Sequence, residues 1–157
     1  MDSLYGLRDG DTRYGLEIAS IKEACVRGVE AGLEGIVIQG EVSSSSTPNE
    51  LNYLAFGHFT TRPHDTLRAF ARITLAPLLG GSDEAELFVT ALAESERGPL
   101  SPTTRADLTA MLSAQVHSAA GTGDTACYRR WRWLGDVVIG AVGRPFPYRA
   151  SDERASA

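Results

Sequence analysis

Apolar residues recur at helical spacing along most of the chain. From Leu16 to Leu33, Ile18, Ile21, Cys25 and Val29 form one stripe, with Glu17, Lys22, Glu23, Arg27 and Glu30 mostly elsewhere. This predicts an amphipathic helix that stops at Gly32. Thr47 before Pro48 reads as a cap and first helical residue. The helix that follows, to Thr60, has Leu51, Leu54, Ala55 and Phe59 on one face and Tyr53 and Phe56 on another. The period continues over 66–79 through Leu67, Phe70, Ala71, Leu75 and Leu78, where Pro77 is expected to kink or end the helix. A further helix over 83–97 carries Ala85, Phe88, Val89, Leu92 and Ala93, opened by Asp83 and Glu86 in capping-box spacing. Ser101-Pro102 opens another, with Leu108, Met111, Leu112 and Val116; the last, 122–142, carries Cys127, Trp131, Leu134, Val138 and Ala141. Residues 1–15 and the stretch from Gly143 onward lack periodicity and read as irregular.

One stretch departs from this pattern. Gly35 to Val42 contains the consecutive β-branched residues Ile36, Val37 and Ile38 between glycines, which favours a short strand. Its unbroken apolar run predicts burial on both faces, as in a parallel sheet. A single strand leaves its backbone donors and acceptors unpaired, at about 1–3 kcal/mol for each buried orphan. Partners therefore have to come from weak strands in 1–15 or from outside the chain. Helix, buried strand, loop and helix in that order is the unit of a parallel α/β fold. The expected fold class is thus α/β and predominantly helical: the terminal βα unit of a partial (β/α) barrel, then a helical tail. A complete barrel takes roughly 250 residues, and the chain has 157. The expected organisation is the end of a barrel-like domain over 1–81, a helical extension over 82–142 and a flexible tail over 143–157.

In such folds ligands bind at the C-terminal edge of the strands, which puts Glu41 at the mouth. A carboxylate there can hold a sugar hydroxyl or act as acid, base or nucleophile; it can equally cap the next helix. Asn49, Glu50, Asn52 and Tyr53 follow closely and are candidates to line the same mouth. Glu50 also fits the role of a first-turn acid favoured by the helix dipole, and Tyr53 that of a core residue.

The stretch EGIVIQGEVSSSSTPNELNYLAFGHFTTRPHDTLRAFARITLAPLLGG resembles the end of the barrel in certain glycoside hydrolases. There the last strand carries a polar residue into the pocket. A helix reading Asn-x-x-Asn-Tyr follows, and a further helix closes on glycines. The matching positions are Glu41, Asn49, Asn52, Tyr53, Pro63 and Gly80-Gly81, over about residues 35–81. The resemblance implies a carbohydrate substrate, with Glu41 as the catalytic candidate and Asn49, Glu50, Asn52 and Tyr53 binding the sugar. Glycosidases need paired carboxyl groups, and in barrel members these come from earlier strands. The chain alone is therefore expected to be an inactive C-terminal segment of a carbohydrate-active hydrolase. The alternative is a non-catalytic helical domain that binds another protein through its apolar faces.

Composition narrows the rest. With 15 basic against 20 acidic residues and a net charge of −5, the chain is not built to sit on phosphate backbones, so no nucleic-acid partner is expected. No apolar run approaches the ~20 residues of a membrane span, and no membrane partner is expected. The start MDSLYGLRDGDTR has no apolar h-region, which favours a cytoplasmic location. His58, His64 and His117 have no metal-ligand spacing, and no metal or cofactor is expected. Cys25 and Cys127 fall on apolar faces and read as buried free thiols. Gly121-Thr122-Gly123-Asp124 follows a helix rather than a strand and reads as a helix–helix turn capped by Asp124 or Thr122. In Arg129-Arg130-Trp131-Arg132-Trp133-Leu134 the aromatic residues are expected to pack and the arginines to fan outward or cover the indoles. An orphan strand and two-sided helices also predict exposed apolar surface and self-association.

Overall fold

The computed structural model describes residues 16–37, 46–96 and 100–140, and among these every regular element is helical. The elements are α1 (Ile18–Glu30), α2 (Thr47–Thr61), α3 (Leu67–Phe70), a π-helical segment (Ala71–Leu75), α4 (Ala76–Leu79), α5 (Ser82–Glu96), α6 (Pro102–Thr122) and α7 (Thr125–Gly140).

This corrects the expected α/β barrel unit. Gly35 to Val37 take no regular structure, and Val37 is 80% exposed. A strand buried on both faces would have hidden it. Ile36 instead folds back onto α1: a Cβ at Gly28 would lie 2.5 Å from Ile36 Cδ1, so the glycine makes room for the contact. Three β-branched residues favour extended backbone but cannot form a ladder without a partner. Among the described residues there is no strand, hence no barrel unit and no TIM barrel. Ile38 to Val42, Glu41 included, lie outside the described residues, as do 1–15 and 143–157.

The helices follow the apolar pattern closely. Ile21 and Cys25 of α1, Leu51, Ala55 and Phe59 of α2, Phe70, Ala71, Leu75 and Leu79 of the next rod, and Ala85, Phe88 and Leu92 of α5 are buried in one core with Leu112, Trp131, Leu134 and Val138. Two start signals shift and a third holds. The side chain of Ser46, not Thr47, caps α2, accepting the Asn49 N–H at 3.4 Å. Asp83 lies inside α5, and Glu86 turns away from its N-terminus to Arg68 (2.9 Å) and Arg72 (3.3 Å). Ser101 does cap α6, accepting from the Thr104 N–H at 3.1 Å.

Pro77 does not end its helix, which runs on to Leu79. Lacking an N–H and crowding the carbonyl four residues back, it follows a π-turn in which the Ala76 N–H donates to Ala71 O. The wider turn places the extra residue just before the proline, as π-bulges do. The rod then ends at Gly80, whose φ of +103° only glycine adopts without strain. The expected boundary at 81/82 falls in this turn.

α7 organises the bundle, packing on α2, α4, α5 and α6. Its buried Trp131 meets Phe88 edge to face with ring centroids 5.2 Å apart. The Trp131 indole N–H donates to Leu79 O at 3.2 Å, and Arg130 Nη1 donates to Leu78 O at 3.0 Å. Two carbonyls that the end of α4 leaves unpaired are thus satisfied from α7. α6, the longest helix, packs along α7.

Candidate functional site

Of the residues expected around α2, Glu50 and Asn52 turn to different helices. Two residues apart and so about 160° around the helix, they face different neighbours. Glu50 faces α7: its Oε2 accepts from Arg130 Nε at 3.0 Å and its Oε1 from Arg130 Nη2 at 2.5 Å. Arg129 Nη2 lies 3.5 Å from Oε2. The Arg130 hydrogen bond, offset in part by burial, draws the Glu50 carboxyl below its usual range. Glu50 is thus an ionised carboxylate committed to a fork of donors, unsuited to give up a proton. Asn52 faces the start of α1, where its Oδ1 accepts the Glu17 N–H at 2.8 Å. The Asn49 backbone belongs to the α2 cap, and Tyr53 is on an exposed side of the helix. Glu41 is outside the described residues.

A second polar group joins α2 to the π-segment. His58 Nδ1 lies 2.8 Å from Thr74 Oγ1, and Nε2 lies 3.2 Å from Asp65 Oδ2, off the line a hydrogen bond requires. Hydroxyl, imidazole and carboxylate in this order resemble the parts of a nucleophile and its base. The His58 side chain, however, is 2% exposed and is flanked edge-on by Phe59 and Phe70 at 4.9 and 5.3 Å. His58 is packed into the core, while Thr74 and Asp65 are part-exposed beside it, and the hydrogen bond to Thr74 fastens the end of α2 to the π-turn.

Open space lies between α6 and α7. A groove of about 500 Å³ runs between them. Its apolar lining comes from Leu112, Val116 and Ala120, and its polar lining from Thr109, Ser113, His117, Tyr128, Arg132 and Asp136. Gly135 lines it too, and a Cβ there would meet only Val116 Cγ2, at 4.0 Å. The missing side chain keeps the helices' shared surface concave. Tyr128, Arg132 and Asp136 follow one another at intervals of four along α7, so they share a face. Arg132 Nη1 donates to the Tyr128 hydroxyl at 3.1 Å, and its Nε lies 3.9 Å from Asp136 Oδ2. That hydrogen bond, then the electrostatics of Tyr128 and Asp136, push the guanidinium's already high pKa further up.

A smaller hollow of about 220 Å³ shares Ala120 and Tyr128 and reaches the turn between the helices. There Asp124 Oδ1 accepts the N–H groups of Cys127 (3.0 Å) and Ala126 (2.9 Å). These bonds draw the exposed Asp124 carboxyl down. The turn is thus the capped helix–helix connection expected from its spacing.

In residues 129–134 the pattern predicts aromatic residues that pack and arginines that fan outward or cover the indoles. Trp131 does pack, and Arg129 and Arg132 point outward, but Arg130 is buried. The signal for the groove was the four-residue interval from Tyr128 to Asp136, set against the row Leu112, Val116 and Ala120. Cys25 and Cys127 are free and buried, and desolvation raises both thiols. Among the described residues no three histidines, cysteines or carboxylates are placed to share a metal ion. No described helix is long and apolar enough to cross a membrane.

No protein-family model, curated protein or solved structure matches the chain.

Proposed function

We propose that the chain is a non-catalytic helical binding domain whose ligand occupies the groove between α6 and α7. The observation that carries this reading is the concavity at Gly135, where an apolar lining meets several polar side chains. Its volume of about 500 Å³ lies within the roughly 300–1,000 Å³ of small-molecule sites. Glu50 and Asn52 of α2 support a structural role instead: Glu50 is engaged by two arginines and Asn52 by the start of α1.

The test is an amide-resonance titration of the ¹⁵N-labelled chain with small aromatic fragments. Shift changes are expected at Val116, Tyr128 and Gly135, and Gly135→Leu should abolish them by filling the groove. Gly135→Ala, a smaller intrusion, should weaken them while leaving the rest of the spectrum in place. Shift changes scattered over α1 to α5, or unaltered by Gly135→Leu, would overturn the reading.

A further inference from the structure

We infer that the groove takes an organic anion, its apolar body against Leu112 and Val116 and its carboxylate on the donors of Arg132 and Tyr128; this rests on the groove being the binding site.

The argument is one of donor geometry. Arg132 carries five N–H donors in a rigid fork. Nη1 is engaged by the Tyr128 hydroxyl and Nε approaches Asp136, while Nη2 has no protein partner among the described residues. Because the Tyr128 oxygen accepts from Arg132, its own O–H hydrogen is left to donate. Two donors therefore stand side by side on one wall, the second polarised by the first. His117, on α6, lines the same groove and adds a ring nitrogen able to donate. The one carboxylate present, Asp136, has a side chain 72% exposed. It is turned toward Arg132 Nε, on the side of the guanidinium away from Nη1. The fork of Arg132 matches a carboxylate in shape as well as charge, and the apolar lining rewards a hydrocarbon body. A ligand bearing an amide or an ammonium in place of the carboxylate meets donors with fewer acceptors.

The probes are three isosteres, phenylacetate, phenylacetamide and phenethylamine, titrated against the full chain by calorimetry and amide resonances. Phenylacetate is expected to bind at least ten-fold more tightly than the amide and to weaken as salt rises. Arg132→Gln should bring its affinity down to that of the amide, and Tyr128→Phe should remove a smaller part of the difference. The Arg132 side chain is 62% exposed, so the fold should survive the substitution, and the retained amide spectrum checks this. Equal binding of the acid and the amide would sink the anion inference and leave the groove reading intact. Tightest binding of phenethylamine would reverse the assignment in favour of Asp136. Binding of none of the three at millimolar concentration would remove both.

Discussion

The Glu50 carboxylate, in the first turn of α2, accepts two hydrogen bonds from the Arg130 guanidinium, eighty positions later on α7. Arg130 also reaches Leu78 O at the end of α4, so one side chain ties three helices together. The exposures of the two side chains, 7% for Arg130 and 19% for Glu50, make the pair a sensitive point. Removing one partner strands the other charge.

Glu50→Gln should therefore destabilise the chain by about 2–3 kcal/mol, somewhat below the 3–5 kcal/mol of a fully buried pair because Glu50 keeps some contact with water. Glu50→Leu with Arg130→Met should cost less than Glu50→Gln alone, since no charge is left unpaired. Urea unfolding of the three variants checks the order, and equal losses for single and double variants would contradict it.

The same pair sets an acid limb. The folded-state pKa of Glu50 is depressed, so its contribution is fully present above the ordinary glutamate value of about 4.3. It is lost as pH falls below that value and through the lower folded pKa. Stability of the wild type should fall more steeply than that of Glu50→Gln over this window. Parallel curves in acid would show that Glu50 does not contribute.

Two glycines in helix interiors are open to improvement. A Cβ at Gly57 would meet nothing within 4 Å, and one at Gly135 would only touch Val116. Each Gly→Ala change should stabilise by about 0.5–1 kcal/mol through helix propensity. Only Gly135→Ala should also narrow the groove, so thermal melts should move together while ligand affinity moves for one variant alone.

Buried His58 and part-buried Thr74 share a hydrogen bond. Thr74→Val leaves an imidazole nitrogen without its partner among phenyl rings, at a cost of about 1–3 kcal/mol. Adding His58→Phe should recover part of it, because an apolar ring then faces an apolar side chain. Additive losses in the double-mutant cycle would mean that the two side chains do not interact.

Trp131 joins packing and polar satisfaction. Trp131→Phe retains an aromatic ring against Phe88 but removes the N–H from Leu79 O, and should cost about 1–3 kcal/mol. Trp131→Ala should cost about 3–5 kcal/mol. Chemical unfolding separates the two contributions by their difference.

Local chemistry was enough to place the helices. The cap at Ser101, the stop at Gly80, the Asp124 turn and the buried faces through Ile21, Leu51, Phe59, Phe88, Leu112 and Trp131 depend on residues within a turn or two, so the linear pattern carries them. Tertiary structure decided the rest. Whether Ile36 and Val37 belong to a strand depends on a partner the linear pattern does not specify, and the expected sheet gave way to Ile36 packing beside Gly28. Glu50 looked like a pocket acid until Arg130 arrived from a distant helix. The extra residue before Pro77 was accommodated by a π-turn whose Thr74 meets His58 across the core. The groove belongs to neither α6 nor α7 alone. It exists because Gly135 withholds a side chain where Val116 approaches, a relation between two helices that no spacing within either one contains.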